Sequence, residues 1–118
     1  PRVEASPGQI QQVIINLLTN SRKAVLASDR EDKQIAIRVP APDGDKLLRI
    51  EVEDNGVGIP REQLSKIFEP FFSSFSSGTG LGLAISKRIL LSHHGLLRVE
   101  SEEGIMTRFV LELPYCSE

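Results

Sequence analysis

Leu48-Arg49-Ile50-Glu51-Val52-Glu53-Asp54-Asn55-Gly56-Val57-Gly58-Ile59 decides the fold: alternating apolar and charged residues run into an aspartate followed by two glycines one residue apart. Such alternation marks a strand with one buried face. An ionised aspartate only accepts hydrogen bonds, so at the mouth of a strand it can take one from a ligand's amino group. Gly56 and Gly58 remove two Cβ atoms beside it, which permits a sharp turn or a close approach of backbone to a flat ring. Asp-Asn-Gly is also the signature of a turn closing a hairpin, and residues 48–59 alone leave both readings open.

Upstream, Ser6-Pro7-Gly8-Gln9 has the form of a capping box with proline at the first helical position. Ile10, Val13, Ile14, Leu17, Leu18, Ser21, Ala24 and Val25 then keep helical spacing, so residues 7–27 read as an amphipathic helix. Residues 34–39 and 47–53 alternate with period two and form a hairpin through Pro40-Ala41-Pro42-Asp43-Gly44. Downstream, Pro60 opens a short helix carrying Leu64, Ile67 and Phe68, and Pro70 ends it. Residues 71–78 are rich in serine and read as a mobile loop. A second helix spans residues 81–93, with Gly95 as its C-terminal cap. Residues 96–100 and 107–113 make a closing hairpin turned at Glu102-Glu103-Gly104. The pattern predicts one α/β (α+β) two-layer sandwich over residues 1–118, a mixed, mostly antiparallel sheet covered on one face by about three helices.

At 118 residues the chain suits one domain able to bury roughly two thirds of its unfolded surface. A net charge of −2 with scattered Lys and Arg lacks the basic stripe of a nucleic-acid groove, so no nucleic acid is expected as a partner. A single cysteine, Cys116, excludes an intrachain disulfide and fits a reducing, cytoplasmic setting. No apolar run approaches the ~18 residues of a membrane span. The first residue is Pro1, so the chain is expected to be a fragment whose parent can be membrane-anchored.

Asn16, Asn20 and Lys23 fall at i, i+4 and i+7, within roughly 60° on one helix face. Amide oxygens suit Mg²⁺, which takes few protein ligands and otherwise water or phosphate oxygens, and a lysine one turn on can meet phosphate as a point charge. The same stripe also reads as a solvated helix face. Gly78-Thr79-Gly80-Leu81-Gly82-Leu83 enters the second helix and exposes successive backbone N–H groups at its positive end, an anion cradle or simply a tight turn. It lacks the Gly-Lys-Ser/Thr of a Walker loop. Phe68-Glu69-Pro70-Phe71-Phe72 reads as core anchors or as a hinge for the loop after it. His93 and His94 read as a helix cap rather than as catalysts.

In this order, Asn16-Leu17-Leu18-Thr19-Asn20, Asp54-X-Gly56-X-Gly58, Phe68-X-Pro70-Phe71-Phe72 and Gly78-Thr79-Gly80-Leu81-Gly82-Leu83 resemble the ATP-binding catalytic domain of two-component sensor histidine kinases. That family sits in one superfamily with gyrase, Hsp90 and MutL ATPases, and the likeness extends through Gly104-X-X-Thr107-X-Phe109. It implies a Bergerat-type fold with ATP under a lid at about residues 71–80. It further implies Asn20 on Mg²⁺, Asn16 beside it and Lys23 on phosphate, with Asn20 and Lys23 serving the transfer chemistry. Asp54 would accept from the adenine amino group, with Gly56, Gly58 and Ile59 around the ring and Thr107 supporting the aspartate through water. Gly80, Leu81 and Gly82 would offer backbone N–H groups to the phosphates, and Phe71, Thr79 and Leu83 would also belong to the nucleotide site. The γ-phosphate would pass to a histidine on a separate dimerisation domain of the same protein, and thence to a response regulator receiver domain. The parent would be a homodimer and the fragment a monomer.

Several positions depart from the family pattern. Ser21 and Ala24 stand where many members carry a small residue and an aromatic one, so no ring from this helix stacks on the base. No Lys or Arg lies between Phe71 and Gly78, leaving Lys87 or Arg88 as the cations near the lid. Leu96 and Met106 occupy usual glycine positions. The short lid resembles the nitrogen-regulation and oxygen-sensing branches. Two alternatives stand: a serine kinase of the anti-sigma-factor type, which would carry a glutamate where this chain has Asn16, and a nucleotide-binding module without turnover.

Overall fold

Ser6 starts the first helix as its sequence suggests. Its hydroxyl accepts from the Gln9 N–H at 3.4 Å and Pro7 opens α1 (Pro7–Leu26). The computed structural model describes residues 5–42, 44–72 and 80–115. Within them, β1 (Ile35–Arg38), β2 (Leu47–Asp54), α2 (Gly82–Ser92), β3 (Leu96–Glu102) and β4 (Met106–Pro114) follow α1. The sheet order is β1-β2-β4-β3, and every pairing among the described residues is antiparallel rather than mixed. The crossover through α2 delivers the last hairpin so that β4, not β3, lies against β2. That register sets Asp54 opposite Thr107.

Both α-helices cover one face of the sheet. Val13 and Leu17 of α1 and Ile89 and Leu90 of α2 pack on Val52, Leu97, Phe109, Leu111 and Leu113. The short helix expected after Pro60 is instead a 3-10 turn, Arg61–Gln63, followed by further turns. Gln63, Leu64, Lys66, Glu69 and Phe72 all donate to the carbonyl three residues back, a tighter winding that still buries Ile67. Phe68 meets Phe109 edge-on at 6.5 Å.

The helix-free face is covered by charge. Asp45, Arg49, Glu112 and Arg98 form one cross-strand ladder, and Arg38, Glu53, Arg108 and Glu100 form another. Glu112, 6 % exposed, sits between Arg49 and Arg98 at 2.8 Å from each. The Arg108 guanidinium holds the Glu53 carboxyl below its usual range.

At the end of α2 the left-handed residue is His94 (φ 60°), not Gly95. Glycine is needed at 95 because a Cβ there would lie 2.2 Å from the Glu112 carbonyl oxygen. His93 closes the helix through Nδ1 on the Ile89 carbonyl at 2.7 Å, and its Nε2 accepts from the Ser6 N–H at 3.1 Å. His93 therefore ties the start of α1 to the end of α2.

Candidate functional site

A cavity of about 560 Å³ opens between α1, the start of α2, the turn after β2 and the Asp54–Thr107 end of the sheet. From α1 it takes Asn16, Asn20 and Lys23, and from the sheet and turn it takes Asp54, Gly58, Ile59 and Thr107. Gly80, Gly82 and Leu83 close it at the entry to α2. Gly56, Phe71 and Leu81 do not line it, and Thr79 and most of the expected lid, residues 73–79, lie outside the described residues, as does Cys116.

At the β2 end, Asp54 is 3 % exposed and its Oδ1 accepts from the Gly56 N–H at 2.8 Å. Burial pushes its carboxyl above the ordinary aspartate value. The Gly56 N–H and the nearby Ser21 hydroxyl pull the other way. Ser21 Oγ is itself fully buried and has no hydrogen-bond partner of good geometry. Both glycines next to Asp54 are required by the backbone packed against them. A Cβ on Gly56 would lie 2.4 Å from the Ala24 carbonyl carbon. One on Gly58 (φ 72°) would lie 2.4 Å from the Glu102 carbonyl oxygen. The turn thus presses on α1 and on the β3–β4 turn together, with Val57 N–H donating to Ala24 and Gly104 N–H to Val57.

At the α2 end, Asn16 Nδ2 donates to the Gly82 carbonyl at 3.2 Å and to Ser86 Oγ at 3.1 Å. This fastens the glycine-rich helix entry to α1. The first-turn N–H groups of α2 lack helical partners and sit at the positive end of its dipole. Among the described residues no three His, Cys, Asp or Glu side chains cluster to bind a metal. A cation here would rely on the Asn20 amide and on ligand oxygens. Lys87 places its ammonium 5.1 Å over the Phe68 ring, and neither Lys87 nor Arg88 lines the cavity.

Residues 5–117 match the family described as histidine kinase-, DNA gyrase B-, and HSP90-like ATPase. The chain belongs to this family. It is 37% identical over 114 residues to sensor histidine kinase ZraS of Escherichia coli (strain K12), covering 97% of this chain and 23% of that protein. The chain thus spans about a quarter of that relative's length. Among solved structures, the nucleotide-free catalytic domain of histidine kinase ThkA superposes with a TM-score of 0.78 at 35% identity, over 96% of this chain and 70% of that one. Full-length ShkA in complex with AMPPNP gives 0.79 at 30% identity, over 94% and 22%. The domain is of the histidine-kinase ATPase type found in sensor kinases.

Sequence reasoning missed several wall residues of this ATPase domain, namely Val57, Pro60, Gln63, Phe72 and Glu103. Pro60 and Gln63 belong to turns that carry no periodicity. Phe72, not Phe71, faces the cavity, because Phe71 adopts φ 66° and is 75% exposed. Phe71 N–H donates to the Gly80 carbonyl at 2.9 Å, and a Cβ on Gly80 would lie 2.5 Å from the Phe71 carbonyl carbon. Residues 71 and 80 are thereby held together. Among the described residues no helix is long and apolar enough to cross a membrane.

Proposed function

We propose that this domain binds Mg-ATP in the cavity and presents the γ-phosphate to a histidine on a separate dimerisation domain of the same cytoplasmic protein, a homodimer that passes the phosphoryl group to a response regulator. The observation that carries this reading is one cavity holding a buried carboxylate acceptor together with the α1 lysine and amides, Lys23, Asn20 and Asn16, and the entry to α2. The likeness to ShkA, solved with AMPPNP, supports it.

The base end fits an amino group, because Asp54 lines the cavity and is acceptor-only when ionised. Asn20 would hold Mg²⁺, which when bound supplies charge neutralisation across the phosphate oxygens. Lys23 adds a point charge, and the N–H groups opening α2 receive phosphate oxygens. Gly82 is kept in place for this by Asn16. With the Asn16 amide donating to Gly82 and Ser86, that position offers no general base. An imidazole nucleophile needs none, whereas a serine hydroxyl would. This observation favours the histidine acceptor over the serine-kinase alternative.

Incubating the domain with γ-labelled Mg-ATP and the dimerisation domain of its parent protein should place acid-labile label on a histidine. Acid-stable label on serine, or binding with no transfer, would overturn the assignment.

A further inference from the structure

Three oxygens and one nitrogen meet behind the cavity wall. Ser101 Oγ, on β3, lies 2.8 Å from the Ile59 backbone nitrogen, 2.8 Å from the Met106 carbonyl oxygen and 2.8 Å from Thr107 Oγ1. Each contact at this distance needs one proton. Ile59 brings its own. The Met106 carbonyl has none, so that contact takes the only hydroxyl proton of Ser101. The contact with Thr107 must then be filled by the Thr107 proton. Thr107 therefore donates away from the cavity, to Ser101, and turns only lone pairs toward it.

We propose that Ser101 is a positioning residue for base specificity: it holds the Thr107 hydroxyl as an acceptor beside Asp54, so the wall selects an amino group and rejects a carbonyl in its place. The inference rests on reading the cavity as an ATP site. Asp54 and Thr107 are register partners on adjacent strands, each 3 % exposed, and both line the cavity. Two buried acceptors side by side are satisfied by the 6-amino group of adenine. The 6-oxo group of hypoxanthine leaves them unpaired, and polar sites discriminate most strongly in such circumstances. Neither Ile59 N–H nor Ser101 can relieve the mismatch, because both are engaged with one another.

The test is the ratio of ATP to ITP affinity, measured by calorimetry with Mg²⁺ on the domain, since the two nucleotides differ where the wall reads them. The wild type should prefer ATP by at least about tenfold. In Ser101→Ala the Thr107 hydroxyl is free to rotate and donate to the carbonyl, so the preference should fall about three- to tenfold, the worth of one neutral hydrogen bond. Ser101→Thr retains the hydroxyl and should retain the preference. In a Thr107→Val background, Ser101→Ala should no longer move the ratio. A folded Ser101→Ala with the wild-type ratio overturns the proposal, as does an equal shift in the Thr107→Val background. If Ser101→Ala does not fold, Thr107→Val, which leaves the Ile59 and Met106 bonds to Ser101 intact, must itself lower the ratio. An unchanged ratio there overturns the proposal. ATP binding that Asp54→Asn weakens but whose ATP-to-ITP ratio Ser101→Ala leaves unmoved means failure of this proposal alone, whereas a wild type that binds neither nucleotide overturns the ATP site as well.

Discussion

Replacing Asp54 by asparagine preserves the size of the side chain and leaves an oxygen for the Gly56 N–H, 2.8 Å away, while removing the charge. Burial holds the Asp54 carboxyl above its ordinary value of 3.8, more strongly than the Gly56 N–H and the Ser21 hydroxyl lower it. A folded-state value above the unfolded one means that the stability from this group is fully present below the unfolded value and is lost as pH rises through the folded value. Asparagine does not ionise. The variant should therefore melt at or above the wild type at pH 7, and the gap should narrow toward about pH 4, near the unfolded value. Binding moves the other way. A charged acceptor facing an amino group contributes about 1.5–3 kcal/mol, so Mg-ATP affinity should fall about 10- to 150-fold. Scanning calorimetry at the two pH values and titration calorimetry at pH 7 measure both effects. A variant several degrees less stable at pH 7, or one that binds Mg-ATP like the wild type, would refute the assignment of Asp54 as a buried ligand acceptor.

Asn20→Ala and Lys23→Ala should each lower Mg-ATP affinity while leaving adenosine binding intact, whereas Asp54→Asn lowers both; equal losses for adenosine would show that the α1 residues do not face phosphate. Gly56→Ala puts a Cβ 2.4 Å from the Ala24 carbonyl carbon and should cost about 1–3 kcal/mol in urea unfolding. Gly104→Ala, at φ 81° with nothing near its Cβ, should cost only the roughly 1–2 kcal/mol of the left-handed conformation, without disturbing the cavity, so Mg-ATP affinity should change for the first variant and not the second. Asn16→Ala loses its bonds to Gly82 and Ser86, and amide exchange in the first turn of α2 should accelerate while the last turn stays protected.

The elements that local chemistry controls were legible. Ser6, Pro7 and the spacing from Ile10 to Val25 place α1 to within a residue, because a cap and a 3.6-residue period are short-range properties. Both hairpins follow from alternation and turn residues in the same way. The short helix after Pro60 is there, but its 3-10 winding and its passage into further turns were not legible, because apolar spacing cannot distinguish successive three-residue turns from an α-helical one. The choice of His94 over Gly95 as the left-handed residue was hidden for a different reason. It depends on where β4 passes.

Sequence alone determined the strand that ends in Asp54, the polar line of α1 and the glycine-rich entry to α2, since each is written in neighbouring residues. Only the tertiary structure decided that β4 lies beside β2, which brings Thr107 to Asp54 and Ser101 behind both. It also decided that Gly56 and Gly58 are glycines for the sake of α1 and the β3–β4 turn. The physical reason is one of range: propensity and periodicity act over a few residues. The Asp54–Thr107 register and the backbone approaches at Gly56 and Gly58 depend on partners some thirty or more positions away, and the direction of the Thr107 proton depends on a serine of the neighbouring strand.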